Sequence, residues 1–271
     1  MKDAQGREIK YLRVSVTDRC NLRCKYCMPN GIECVEHKDI LSFEEIRQIA
    51  VCGARLGITK IRLTGGEPLA RKGCPELIRM LKEIPGIEKI AMTTNGTLVR
   101  AILPELVEAG LDEINISLDT LDAGTFATIT GQDLLPEVLL AIDAALAAGL
   151  KVKVNAVSMP DTDWKRLITL AKDKPVDVRF IELMPIGEGR HSEGRSNEEL
   201  LEEIRSEFPQ LQADGSVHGA GPAVYYRIPG YQGSIGLISA MHGKFCSSCN
   251  RVRLTSTGFL KTCLCYEDGT D

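Results

Sequence analysis

Cys20-Asn21-Leu22-Arg23-Cys24-Lys25-Tyr26-Cys27 places three cysteines at C-x3-C-x2-C spacing, in a stretch with the character of a loop. Three thiolates on a [4Fe-4S] cubane leave one iron without a protein ligand and open to a small molecule. A fully ligated electron carrier needs a fourth ligand. So does a tetrahedral structural zinc, for which Cys34 and His37 are the nearest candidates. A zinc knuckle, or a set of buried apolar thiols, is the alternative to a cluster with an open iron.

The cysteine loop follows the first of six short apolar runs, 11–16, 60–63, 87–92, 113–117, 152–157 and 178–183, which read as β-strands. Between them, 42–56, 75–84, 98–109, 134–148 and 164–172 carry the period of amphipathic helices. Ser42 and Glu45 form a capping-box pair, and Gly57, Gly110 and Gly149 stand where a left-handed C-terminal residue is wanted. The alternation predicts a parallel α/β structure whose right-handed crossovers bring every strand's carboxyl end to one face. The unusual polar residues do follow the strands: Thr17-Asp18-Arg19-Cys20, Thr64-Gly65-Gly66-Glu67-Pro68, Thr93-Thr94-Asn95-Gly96, Leu118-Asp119, Ser158 and Met184-Pro185-Ile186-Gly187. Ordinary strand-to-helix turns also favour Gly, Asn and Thr, and for Asp119 and Asn155 a structural role is as good an account as a chemical one. Beyond Gly187 the rhythm ends in a polar stretch, 188–195, followed by a helix over 197–208 and β-type pieces at 225–228 and 234–239. The expected organisation is a partial barrel over 1–187 and a smaller subdomain over 188–271.

The chain has 271 residues and a net charge of −4, which argues against a nucleic-acid surface or an anionic membrane partner; an anionic ligand must be met locally. Residues 1–7 contain no apolar run and no segment is long enough to span a bilayer, so the expected location is cytoplasmic. Ten cysteines in a reducing compartment make a poor disulfide framework, and ligation accounts better for the clustered ones. Cys34, Cys74 and Cys265 stand outside the triplets, and Cys52 reads as a small core hydrophobe.

A second constellation is Phe245-Cys246-Ser247-Ser248-Cys249-Asn250-Arg251-Val252-Arg253-Leu254-Thr255, completed by Cys263. A zinc ribbon with Cys265 or His242 as fourth ligand would suit it, as would a second cluster with an open iron. Arg251 and Arg253 alternate on an apparent strand and so share a face. Their guanidinium forks match phosphate oxygens, although a solvated strand face would carry the same residues.

Leu12-Arg13-Val14-Ser15-Val16-Thr17-Asp18-Arg19-Cys20-Asn21, the C-x3-C-x2-C loop with Tyr26 before its last cysteine, Thr64-Gly65-Gly66-Glu67-Pro68 and the second cysteine set together resemble the GTP 3′,8-cyclase family (molybdenum cofactor biosynthesis protein A) of radical S-adenosylmethionine (SAM) enzymes. The resemblance implies an incomplete (β/α)6 TIM-like barrel carrying two [4Fe-4S] clusters. Cys20, Cys24 and Cys27 would hold the cluster that binds SAM and cleaves it to a 5′-deoxyadenosyl radical. Tyr26, Gly66, Ser117 and Met184 would line the SAM site. Cys246, Cys249 and Cys263 would hold the second cluster, whose open iron meets the guanine of GTP. Arg13, Arg62, Thr93, Lys153, Arg251, Val252 and Arg253 would bind GTP, with Arg251 and Arg253 also required for catalysis. The implied reaction removes the ribose C3′ hydrogen and joins C3′ to guanine C8. Implied partners are an electron donor, a downstream cyclic pyranopterin monophosphate synthase and, in a homodimer, a second copy of the chain. A radical SAM enzyme acting on a peptide with an auxiliary cluster, and a non-catalytic zinc-binding protein, are the competing readings. The family continues past its third cysteine into further helical structure and a terminal Gly-Gly pair, whereas this chain ends at Asp268-Gly269-Thr270-Asp271, an expected C-terminal truncation.

Overall fold

Apolar residues at every second position of the predicted strands decide how the chain layers. In the computed structural model, which describes residues 2–3, 6–28, 35–185, 189–190, 193–243, 245–266 and 268–271, these strands form the centre of one sheet. The expected boundary at Gly187, and Cys34, lie outside the described residues. The chain runs β1 (Tyr11–Ser15), α1 (Phe43–Arg55), β2 (Lys60–Thr64), α2 (Cys74–Lys82), β3 (Lys89–Thr94), α3 (Val99–Glu108), β4 (Glu113–Ser117), α4 (Ala123–Thr130), α5 (Leu135–Ala147), β5 (Lys151–Ser158), α6 (Trp164–Asp173) and β6 (Asp177–Glu182). It continues through α7 (Asn197–Glu207), β7 (Gln212–Ala213), β8 (Val224–Arg227), β9 (Ile235–Ile238), β10 (Arg251–Leu254), β11 (Leu260–Lys261) and β12 (Gly269–Thr270).

The predicted end signals are present. Ser42 Oγ accepts from the Glu45 amide while the Glu45 carboxylate accepts from the Ser42 amide, and Gly57, Gly110 and Gly149 all have positive φ. One helix goes beyond the prediction. α4 carries Gly, three threonines and an isoleucine in eight residues, so intrinsic propensity is poor, yet Asp122 caps the Thr125 amide at 2.8 Å and Gly131 closes the other end at φ 76°.

Strands β10, β1, β2, β3, β4, β5, β6 and β9 are adjacent and parallel in that order, with β11 and β12 continuing one edge antiparallel and β8 and β7 the other. Among the described residues the sheet does not close, so the barrel is incomplete. The stretch expected to pack as a smaller subdomain supplies strands to both edges of this same sheet. Leu12 and Val14, Ile61 and Leu63, Ile90 and Met92, Ile114 and Ile116, Val152 and Val154, Val178 and Phe180 turn to the helical layer and are buried there. Each such side chain contributes roughly 1.5–3 kcal/mol by burial. The opposite face is therefore free to be polar, unlike the packed interior of a complete TIM barrel.

Candidate active site

The inward face of the sheet encloses a cavity of ≈ 620 Å³. Parallel register puts Arg13 between Arg62 and Arg253, Asn115 between Thr93 and Lys153, and Arg179 beside Asn155. Among the described residues that line it, eight are cationic, Arg7, Arg13, Lys60, Arg62, Lys153, Arg179, Arg251 and Arg253, against two carboxylates, Glu113 and Asp268. Arg13, Arg62, Lys153, Arg251 and Arg253, the cations that the family resemblance assigns to GTP, are all among them.

Some of these cations are held by the walls. Lys60 Nζ donates to Glu113 Oε2 at 2.6 Å, and Arg62 reaches the same oxygen at 3.4 Å while donating to the Met92 carbonyl at 2.7 Å and to the Tyr11 hydroxyl. Burial alone would raise Glu113, but the Lys60 hydrogen bond and the charges of Lys60 and Arg62 outweigh it and hold the carboxyl below its usual range. Lys153 Nζ donates to Asp177 Oδ2 at 2.5 Å and to the Tyr225 hydroxyl at 3.0 Å. His218 stacks on Tyr225 with centroids 3.8 Å apart, and its ring nitrogens lie 3.0 Å from Asp177 and 3.0 Å from Asp214. Other cations face the cavity without a counter-charge: among the described residues no carboxylate pairs with Arg13, Arg251 or Arg253. Burial lowers Arg13 to about 10, with the Tyr11 phenol opposing and the guanidiniums of Arg62, Arg253 and Arg251 adding to the fall. Such a wall is built to receive a polyanion.

The two cysteine triplets lie at opposite ends of this channel. The first follows β1 and stands at the strands' carboxyl ends. Cys246 and Cys249 precede β10, which runs parallel to β1, and Cys263 follows β11, which returns antiparallel to β10, so the second stands at the amino ends. Cys24 is pushed up to about 12 by burial, then by Asp119 and by the thiols of Cys27 and Cys20, so the three sulfurs share one electrostatic environment. The Leu22 amide points at Cys20 Sγ at 3.4 Å and the Asn95 side-chain amide at 3.9 Å. N–H groups directed at sulfur are what a cluster-bound thiolate accepts, so these residues fit a [4Fe-4S] group. At the other end Cys246, Cys249, Cys263 and Cys265 line the cavity wall beside Arg253, which burial and the charge of Arg251 lower while Cys249, Cys263 and Cys265 oppose the fall. Among the described residues no three His, Cys, Asp or Glu side chains gather as ligands of a single metal ion. A cubane asks instead for three thiolates on three separate irons.

Comparison with known proteins bears on both ends. The Radical SAM superfamily model matches residues 14–173, and the Molybdenum Cofactor Synthesis C model matches 176–271. A GTP 3′,8-cyclase of Clostridium perfringens (strain 13 / Type A) is 47% identical over 99% of this chain and 84% of its own length. That of Heliobacterium modesticaldum is 45% identical over 97% of this chain and 83% of its own. The chain belongs to the GTP 3′,8-cyclase family of the radical SAM superfamily. Among solved structures, Streptococcus suis SuiB bound to S-adenosylmethionine superposes with a TM-score of 0.74 at 14% identity, covering 97% of this chain and 63% of SuiB, a likeness of fold. Membership of the superfamily brings a [4Fe-4S] cluster and SAM. No helix among the described residues is long and apolar enough to cross a membrane.

Within this family frame the residues singled out from the sequence take definite places. Tyr26 and Ser117 line a small crevice with Cys24, Asn95 and Asp119, and the Tyr26 hydroxyl donates to Asp119 at 2.5 Å while Asp119 also accepts from the Val157 amide at 2.8 Å. Asp119 thus ties the cysteine loop to β5. Gly66 lies against the backbone of the cysteine loop: its amide donates to the Thr17 carbonyl at 2.9 Å, and a Cβ there would come within 2.4 Å of the Arg19 carbonyl oxygen. Met184 opens onto the large cavity instead of the crevice, as does Thr93. Val252, between Arg251 and Arg253, turns its side chain outward against the core, so any part it takes in the cavity belongs to its backbone. Sequence reasoning missed Lys60, Arg179, Tyr225 and His218. The first two stand in apolar strands, where a cation is a local signal; Tyr225 and His218 sit in the short strand next to the edge strand β7 and in a Gly-rich loop, which carry none.

Proposed function

We infer that this chain is a radical SAM lyase of molybdenum cofactor biosynthesis, converting GTP to (8S)-3′,8-cyclo-7,8-dihydroguanosine 5′-triphosphate. The observation that carries this reading is one row of strand-borne cations facing a cavity with a cysteine triplet at each end. A [4Fe-4S] cluster on Cys20, Cys24 and Cys27, when bound, would leave an iron open to SAM and supply the electron that cleaves it to a 5′-deoxyadenosyl radical. In this reading Tyr26, Ser117, Gly66 and Met184 position SAM at the carboxyl ends of the strands. Arg13, Arg62 and Lys153, with Thr93, take the triphosphate and ribose along the wall. Arg251 and Arg253 meet the nucleotide near Cys246, Cys249 and Cys263, which would hold a second [4Fe-4S] cluster. The polar channel holds ribose C3′ toward the SAM end while the guanine is fixed at the other, so that C3′ and C8 of one nucleotide can be joined. The reading includes a cytoplasmic location, an external one-electron donor, a cyclic pyranopterin monophosphate synthase downstream and a homodimer.

Iron and sulfide per chain after anaerobic reconstitution test it, in the unaltered protein and in Cys246→Ala/Cys249→Ala/Cys263→Ala. About eight irons falling to about four is the expected result. About four in both proteins would remove the second cluster and with it the guanine's anchor.

A further inference from the structure

Most hydrogen-bonding groups on the cavity wall are donors: arginine and lysine side chains accept nothing. Two of the wall's side-chain acceptors are engaged. Glu113 takes Lys60, and Asn155 Oδ1 takes both Arg179 Nε at 2.9 Å and Nη2 at 2.5 Å. Asn115 differs. It projects from β4 onto the cavity, is 6% exposed, and its Oδ1 has no hydrogen-bond partner. A buried acceptor left unmade is costly, and the side chain stands where a ligand with an O–H or N–H to give would satisfy it.

Its height in the channel says which part of the ligand that is. Asn115 lies one inward step below Ser117, at the SAM crevice, and one above Glu113, near the amino ends of the strands. This is the middle of the path between the two cysteine triplets. A nucleotide lying along that path, with its base at the second triplet and the carbon that loses hydrogen facing the first, brings its ribose here. Phosphate oxygens have no proton to give at neutral pH, whereas ribose hydroxyls do.

We propose that Asn115 reads the sugar, its Oδ1 accepting a hydrogen bond from a ribose hydroxyl of the bound nucleotide and so fixing the rotation of the ribose within the channel. The assignment rests on GTP as the substrate. Asn115 is then a specificity residue selecting ribonucleotide over deoxyribonucleotide, in addition to the cations that hold the phosphates.

Equilibrium binding of GTP, 2′-deoxyGTP and 3′-deoxyGTP to the reconstituted protein without SAM tests this. The unaltered protein should bind GTP about tenfold more tightly than one of the two analogues, the loss identifying which hydroxyl is read. Asn115→Ala should lose that preference, binding GTP and that analogue alike, with iron content unchanged. Asn115→Asp keeps an acceptor at the same place and should keep the order of the three ligands even if all bind more weakly. Equal binding of all three by the unaltered protein, an equal loss for all three in Asn115→Ala, or loss of the order in Asn115→Asp would overturn the assignment. No GTP binding by the unaltered protein would overturn the nucleotide reading itself, and this inference with it.

Discussion

Gly66→Ala is the substitution for which the structure sets the sharpest expectation. The backbone at Gly66 does not have positive φ, so alanine meets no conformational penalty and the cost is steric. The added Cβ would sit 2.4 Å from the Arg19 carbonyl oxygen, 2.5 Å from that of Asp18 and 2.6 Å from the Arg19 carbonyl carbon, all of them backbone. Ordinary carbon–oxygen contacts begin near 3.3 Å, so one of the two loops has to retreat by roughly 0.9 Å. That movement opposes two backbone hydrogen bonds that join the loops, Gly66 to Thr17 at 2.9 Å and Glu67 to Arg19 at 2.8 Å. Overpacking of this kind costs about 1–3 kcal/mol and weakening the two bonds about 1 kcal/mol more, for a total of about 3 kcal/mol. In a chain of this size that lowers Tm by roughly 6–12 °C. The residue after Arg19 is Cys20, so the displacement also reaches the first cysteine triplet. Thermal unfolding of the metal-free protein and iron per chain, both measured in the Cys246→Ala/Cys249→Ala/Cys263→Ala background, should fall together. A variant with unchanged Tm and a full complement of iron that has lost only SAM binding would refute the packing argument and leave Gly66 as a lining residue alone.

Glu113→Gln leaves Lys60 and Arg62 without their shared carboxylate and should destabilise the protein by about 2–3 kcal/mol at pH 7. Because the folded carboxyl lies below its unfolded value near 4.5, its stabilisation is present above that pH and lost as pH falls through the folded value. Urea midpoints of the two proteins should therefore converge below about pH 4.5; parallel curves would show that Glu113 is not the group responsible. Arg251→Ala/Arg253→Ala removes two cations that no carboxylate balances, so it should abolish GTP-dependent SAM cleavage while leaving iron content and Tm near their starting values. Retained cleavage would remove both residues from the nucleotide site.

The layering of the fold was legible because burial is one-sided. Leu12 and Val14 alternate with Tyr11 and Arg13, and Ile61 and Leu63 with Lys60 and Arg62, so the strands declare both their existence and their inward face. The family resemblance supplied Arg13, Arg62 and Lys153, and the alternation agrees with it, since it turns these strand-borne cations to the inward face. Arg179, between Val178 and Phe180, stands on the same face by the same alternation. α4 was hidden because β-branched residues and glycine mask a helix that its caps and its neighbour α5 stabilise. The placement of β10 beside β1, which brings Arg253 level with Arg13, joins residues 240 positions apart in the chain, and no local pattern encodes it. Nor does one encode the stacking of His218 on Tyr225, which depends on where a loop comes to lie after the sheet has formed.

The division of labour between the two faces of the sheet explains how an acidic chain tolerates eight cations around one cavity. Stability resides mainly in the outward layer, where the strands' aliphatic residues pack on the helices; in the inward layer the buried pairs of Glu113 and Asp177 stabilise, while the guanidiniums that no carboxylate pairs repel one another. Arg13 is lowered to about 10 chiefly by burial, with the Tyr11 phenol opposing and the neighbouring guanidiniums adding a smaller repulsion. Glu113 and Asp177 restrain it by holding Lys60, Arg62 and Lys153 at the wall, while Arg13, Arg251 and Arg253 keep their full demand for an anion. An anion in the cavity would relieve that repulsion. Outward substitutions, and those of Glu113 and Asp177, should accordingly be felt first in folding, and those of Arg13, Arg251 and Arg253 first in what the cavity holds.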